Sequence, residues 1–146
     1  MKLGSSSTLD EICSLPNVAC RSLESEDIKV VSVEIEGSRV LEVRSSPRIY
    51  EVALMVNPKL ALPSFIANAV PSKVIETLKS ISDQKGYSYY VICVARSREK
   101  IFVTVRPQEE AEHLLLATIT QNNVIKHRDK LGLDEDTIKS IAESIV

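Results

Sequence analysis

Tyr87–Pro107 reads YSYYVICVARSREKIFVTVRP, and its folding decides the architecture of the chain. Two apolar runs flank a basic knot, Arg96-Ser97-Arg98-Glu99-Lys100. Tyr87–Ala95 is apolar on both faces and rich in Val, Ile and Tyr, as a strand in the middle of a sheet is. Ile101, Val103 and Val105 then alternate with Lys100, Thr104 and Arg106, the period of a half-buried partner strand. Phe102 is the exception on the polar side. The stretch therefore predicts a central β-hairpin with Arg96, Arg98 and Lys100 at its tip.

Upstream, EDIKVVSVEIEGSRVLEVRSS (Glu26–Ser46) is the cleanest local signal. Val31, Val33 and Ile35 alternate with Ser32, Glu34 and Glu36. Leu41 and Val43 alternate with Glu42 and Arg44. Glu36-Gly37-Ser38 between them makes a turn, so this is a hairpin with one wet face. Tyr50, Val52, Leu54 and Val56 support a third strand over residues 48–56, a run also short enough for helix. A proline-rich connection follows, with a short helix near Phe65–Ala69. From Pro71 the period becomes helical, with Val74, Ile75, Leu78 and Ile81 on one stripe and Gly86 ending it.

Downstream, Pro107 opens an expected helix with Glu109, Glu110 and Glu112 in its first turn, where the helix dipole favours acids. Ala111, Leu114, Leu115 and Thr118 would face inward. Asn122-Asn123 marks a break, and residues 124–131 read as a short basic helix ended by Gly132. Asp134 caps a last helix with Ile138, Ile141, Ala142 and Ile145 inward. At the other end, residues 1–7 read as a flexible tail. Thr8 caps a short helix that stops before Pro16, with Glu11 as its capping-box partner. The expectation is one α+β domain over residues 8–146, a mostly antiparallel five-stranded sheet with helices packed on one face.

Composition narrows the chemistry. The chain has 146 residues, 44% hydrophobic and 26% charged, with a net charge of -2. That balance argues against a generic, charge-driven nucleic-acid binder. No apolar run is long enough for a membrane helix, and the N-terminus lacks the apolar core of a signal peptide, so a cytoplasmic protein without a membrane partner is expected. Cys13, Cys20 and Cys93 are odd in number and scattered, which suits reduced thiols better than a disulfide framework. The chain has four glycines, Gly4, Gly37, Gly86 and Gly132. The last three end or turn elements and the first sits in the tail, so none remains for a phosphate-cradling loop. His113 and His127 have no close His or Cys partner, and no metal is expected. No G-x-S-x-G occurs, and the paired acids Glu109-Glu110 and Asp134-Glu135-Asp136 begin helices. No enzyme activity and no cofactor are expected.

Two basic groups remain as candidate nucleic-acid contacts: Arg96, Arg98 and Lys100 at the hairpin tip, and Lys126 and Arg128 downstream. Each also has a plainer account, as a solvated turn and as cations at a helix C-terminus. The last helix closes the chain with Ile138, Ile141, Ile145 and Val146, which makes these the candidate partner-binding residues.

VICVARSREKI resembles a segment of the small tRNA-binding, kinase-associated subunit of the KEOPS complex, with Ala95, Arg98, Lys100 and Ile101 at the corresponding places. VALMVNPKLALPSFIANAV (Val52–Val70) is similar to that family's strand, acidic or amide residue, then apolar helix. The C-terminal NNVIKHRDKLGLDEDTIKSIAESIV resembles its closing helices. Lys100 stands where the family usually has glutamine. The resemblance implies a non-catalytic subunit that binds a kinase subunit through apolar helices and helps hold the tRNA 3′ end during threonylcarbamoyl modification. It also implies that Tyr87–Pro107 is largely helical, against the β-formers that fill it. The functional expectation is a non-catalytic partner-binding subunit or adaptor, of which a KEOPS-like accessory subunit is one form. The alternatives are a small RNA-binding module using basic hairpin tips, and a chaperone-like or roadblock-like interaction module.

Overall fold

A computed structural model describes residues 2–146. Tyr87–Pro107 is a hairpin: β5 (Tyr90–Ser97) and β6 (Lys100–Pro107) pair antiparallel from Tyr90 opposite Pro107 to Ser97 opposite Lys100. They sit inside a continuous sheet of eight strands, ordered β1 to β8 as in the chain, with every neighbour antiparallel. The others are β1 (Val18–Glu24), β2 (Lys29–Ile35), β3 (Ser38–Ser45), β4 (Tyr50–Val56), β7 (Leu115–Thr120) and β8 (Asn123–Asp129). The helices are α1 (Ser6–Cys13), the short α2 (Ser64–Ala67), α3 (Ser72–Lys85) and α4 (Glu135–Ile145).

The β4–β5 connection is the one long excursion between strands. It carries α2 and α3 across one side of the sheet and returns through Gly86, whose φ of 76° ends α3 in the left-handed region. The β2–β3, β5–β6 and β7–β8 hairpins turn on two residues each, with positive φ at Glu36 and Gly37, at Arg98, and at Gln121 and Asn122. Such turns match the twist of the strands that they join.

Strand period two divides the sheet into two faces. Val33, Leu41, Val52, Leu54, Ile92, Val94, Val103, Val105, Leu115 and Ala117 point to the helix side and are fully buried. Val74 and Leu78 of α3 and Ile138, Ile141 and Ile145 of α4 cover them. Tyr90 is the largest buried side chain, and its hydroxyl meets Ser82 Oγ at 2.9 Å and the Leu78 carbonyl at 3.2 Å. No buried polar side-chain atom among the described residues lacks a hydrogen-bond partner.

Several expectations are corrected. The α+β class and the helices on one face agree with the structure, but the sheet has eight strands rather than five. β1 went unread because it is an edge strand with mostly exposed side chains, so burial imposes no alternation on it. Residues 108–114 form no helix. Leu115, Ala117 and Ile119 enter the sheet as β7, since Thr118, Ile119 and Thr120 are β-branched and β6 offers a free edge. Residues 124–131 are not a basic helix: β8 occupies most of them, and Gln121-Asn122 is a hairpin turn rather than a break between helices.

The expected tail is also ordered. Met1 lies outside the described residues, but Leu3 and Gly4 are buried. Their N–H groups donate to the carbonyls of Ser144 and Ile145 at 2.9 and 3.1 Å, which satisfies acceptors at the open end of α4. α1 is capped by Ser5, which accepts from the Thr8 N–H, and not by Thr8. Finally, Cys13 and Cys20 form a disulfide, with Cα atoms 5.8 Å apart. α1 ends at Cys13, the chain reverses at Pro16, and β1 carries Cys20 back beside it. Expected reduced thiols therefore do not describe this pair.

Candidate interaction face

Among the described residues, no element covers the face of the sheet away from the helices. In a soluble antiparallel sheet such a face is normally polar. Its middle here is apolar. From β4 come Ala53 and Met55, from β5 Val91, Cys93 and Ala95, from β6 Phe102, and from β7 Leu116. All are half-buried. The register brings them side by side: Met55 lies opposite Val91, Ala53 opposite Cys93, and Ala95 opposite Phe102, with Thr104 between Cys93 and Leu116. Neighbouring side chains on the sheet give each one its partial cover.

The surrounding charge is uneven. On β3, Glu42 is held between Arg39 at 3.0 Å and Arg44 at 3.4 Å. Glu34 and Glu51 on the same side make no ion pair among the described residues. Outward positions of β5 to β8 carry Lys100, Arg106 and Arg128 and no carboxylate. Arg106 donates to the carbonyls of Pro107, Gln108 and Glu110 at 3.2 to 3.3 Å, so it is oriented without being neutralised. Arg128 and Lys130 both reach Glu112, at 2.7 and 2.8 Å. The Lys130 hydrogen bond, with the charges of Lys130 and Arg128, holds the Glu112 carboxyl below its ordinary value.

Cys93 is the free cysteine in the middle of this face. Burial, and then the nearby Glu51 carboxylate, push its thiol up to about 12. It is therefore protonated at neutral pH and suits packing rather than nucleophilic attack. No group of three or more His, Cys, Asp or Glu among the described residues is placed to hold a metal ion. His127 bonds Thr118 at 2.9 Å on the outward side. No helix among the described residues is long and apolar enough to cross a membrane.

The residues singled out from sequence are dispersed. Arg98 and Lys100 stand exposed at the β5–β6 turn. Arg96 points to the helix side, donates to the Val146 carbonyl at 3.1 Å and lies 5.4 Å from the centre of the Tyr50 ring. Lys126 also faces the helix side, where it binds the Leu133 carbonyl and lies 3.4 Å from Asp129. Arg128 is outward but paired with Glu112. These five do not form one basic patch. Ile138, Ile141 and Ile145 are fully buried and Val146 is 3% exposed, so the chain's own core occupies the residues expected to enter a partner's groove.

The apolar outer face was missed, although two signals pointed to it: Tyr87–Ala95 is apolar on both sides, and Phe102 breaks the polar side of its strand. Burial against the helices explains Ile92 and Val94, but no helix among the described residues lies over Val91 or Cys93. A smaller apolar recess, about 270 Å³, lies between α1 and α2 and is lined by Leu3, Ile12, Leu15, Phe65 and Ala69, with Glu11 and Asn68. No family model, curated protein or solved structure matches this chain.

Proposed function

We propose that this protein is a non-catalytic binding module that docks another protein surface on the open face of its sheet. One observation carries the reading: Met55, Val91, Cys93, Phe102 and Leu116 form a contiguous apolar centre on a face that no element among the described residues covers. Exposed apolar patches of this kind mark interaction sites, because leaving them in water forfeits burial energy of roughly 25 cal/mol per Å². Charged residues surround the patch, which is the anatomy of an interface with an apolar core and a polar rim.

The test is recovery of the full chain with an identified protein bound, compared with a Phe102→Glu variant. The wild type is expected to retain that protein and the variant to lose it. Retention by both would remove the sheet face from consideration. An RNA-binding module is the second reading, favoured by the excess of cations on the outward side of β5 to β8. It predicts tRNA binding that weakens steeply with salt and falls on Arg106→Ala. A role in tRNA threonylcarbamoylation rests on the resemblance alone. That resemblance implies a helical Tyr87–Pro107, a segment that is a hairpin here.

A further inference from the structure

We infer that the occupant of the open sheet face is an acidic, amphipathic helix of another protein, laid over β5 to β7. The inference rests on the reading of that face as a docking surface and names the chemistry of what docks there. Charge on the face divides across the sheet. The outward side of β1–β4 is balanced, with Arg21, Arg39 and Arg44 against Glu34, Glu42 and Glu51. The outward side of β5–β8 carries Lys100, Arg106 and Arg128 and no carboxylate. Two acids border that half. Glu99 sits beside Arg98 in the β5–β6 turn, and Glu112 is shared between Arg128 and Lys130, which leaves that cluster positive. The whole chain has a net charge of -2. The positive field is therefore local, and it lies on the half of the face that holds Val91, Cys93, Phe102 and Leu116.

The register sets these cations around the apolar residues rather than in a patch of their own. Along β6 the outward order is Lys100, Phe102, Thr104, Arg106. Lys100 and Arg106 thus stand at the two ends of the apolar stretch, roughly 20 Å apart. Leu116 lies opposite Thr104 on β7, and Arg128 lies beyond Leu116 on β8. A ligand that meets all of them has an apolar stripe with carboxylates at both ends and along one side. A helix of about 13 residues spans that length, with its apolar residues one turn apart on a single stripe. The opposite face of the same sheet is already covered in this way, by α3 and α4. An added strand does not suit the site, because β5, β6 and β7 each pair on both sides.

Lys100 and Arg106 make no ion pair among the described residues, so both are available to a partner's carboxylates. RNA matches the site less well. Single strands stack successive bases on aromatic rings and lay their phosphates along a groove of cations. The centre here offers one ring, Phe102, among the aliphatic and thiol side chains of Met55, Val91, Cys93 and Leu116. A few cations spaced around such a centre match an acidic protein surface with an apolar core, where complementary rim charge fixes orientation and excludes basic competitors.

Selection from a random library of peptides about 14 residues long on the immobilised full chain, followed by fluorescence anisotropy of the enriched peptides, tests the inference. The enriched peptides are expected to carry apolar residues at helical spacing with Asp or Glu flanking them. Their affinity should fall about 10-fold with Lys100→Glu and with Arg106→Glu, survive Arg106→Lys, and fall at least about 30-fold with Phe102→Glu, a central anchor. Thr104→Glu, a change at a half-exposed hydroxyl, should also weaken binding and keeps the test open if Phe102→Glu does not fold. Lys79→Glu on the exposed side of α3 should leave binding unchanged, and circular dichroism checks each variant's fold. Enriched peptides without an acidic bias overturn the inference, as do acidic ones that both Lys100→Glu and Arg106→Glu leave bound. If such peptides still lose affinity with Phe102→Glu or Thr104→Glu, the acidic helix falls and the proposed function stands. A single-stranded RNA that displaces the peptides and binds more tightly at physiological salt overturns the helix in favour of RNA. No enrichment overturns the inference, and together with a wild type that retains no protein it fails the proposed function as well.

Discussion

At the scale of single residues, Gly4 and Cys93 show how close packing assigns a role that composition does not announce. A Cβ on Gly4 would overlap the Tyr50 hydroxyl and come within 2.6 Å of Val52 Cγ2. Tyr50 and Val52 belong to β4, and the Tyr50 hydroxyl also binds the Gly4 carbonyl. Gly4→Ala is expected to cost about 1–3 kcal/mol through overpacking, measured by urea denaturation. Gly4→Ala with unchanged stability would show that Leu3 and Gly4 are not anchored as described. Cys93 makes the second residue-scale prediction. With its thiol pushed up to about 12, it should react slowly with a disulfide reagent at neutral pH in the native protein and rapidly after unfolding. Glycine was read as punctuation in the sequence, and at Gly37 and Gly86 it is. At Gly4 it answers a neighbour 46 residues away in the chain, a distance no local pattern reports.

At the scale of elements, the Cys13–Cys20 disulfide fastens α1 to the edge strand β1. β1 pairs on one side only and exposes Leu23 at 75%, so little burial holds it. In the chain-entropy account, closing a loop of this short length contributes about 2.5 kcal/mol. The Cys13→Ser, Cys20→Ser double variant is expected to lose about that much stability, read as a lower melting temperature. Hydrogen exchange should show the loss concentrated in α1 and β1. α4 presents the opposite case. Ile141→Ala should cost about 2–5 kcal/mol, because Ile141 is fully buried and its removal leaves a cavity. A neutral outcome would mean that this stripe is free for a partner after all. The elements legible in the sequence were those with a clear period and a covering layer: the β2–β3 hairpin, β4, α3, the β5–β6 hairpin and α4. β1 and β8 escaped because edge strands carry no burial pattern. β7 escaped because the run Leu114-Leu115-Leu116-Ala117 fits a helix stripe as well as a strand.

At the scale of the whole molecule, titration and assembly are the observable consequences. Burial raises the Tyr50 and Tyr90 hydroxyls above 10.0, with Arg96 opposing this at Tyr50 and Ser82 at Tyr90. Burial likewise raises Cys93 from 9.0 to about 12. Each group is neutral when protonated and holds its proton more tightly when folded. The stability they contribute is thus fully present below the unfolded values and is lost as pH rises through the folded ones. Melting temperature is expected to change little from these groups up to about pH 9 and to fall progressively from there towards pH 12. Cys93→Ala should flatten part of that decline, and an identical profile would show that the thiol is not responsible.

Local pattern was enough for the α+β class, for reading Tyr87–Pro107 as a hairpin of β-formers and for helices over one face. Those follow from residue periodicity, β-branching and turn residues, which act over a few positions. Tertiary structure alone decided the strand count, the Cys13–Cys20 bond and the anchoring of the N-terminus against α4. It also decided the side of the sheet that stays open. The physical reason is the same in each case. A strand's alternation tells which residues share a face, and only the packing of α1, α3 and α4 tells which face is already filled. Val91 and Cys93 looked like core because apolar residues in a central strand usually are. They lie instead on the side that the helices leave uncovered.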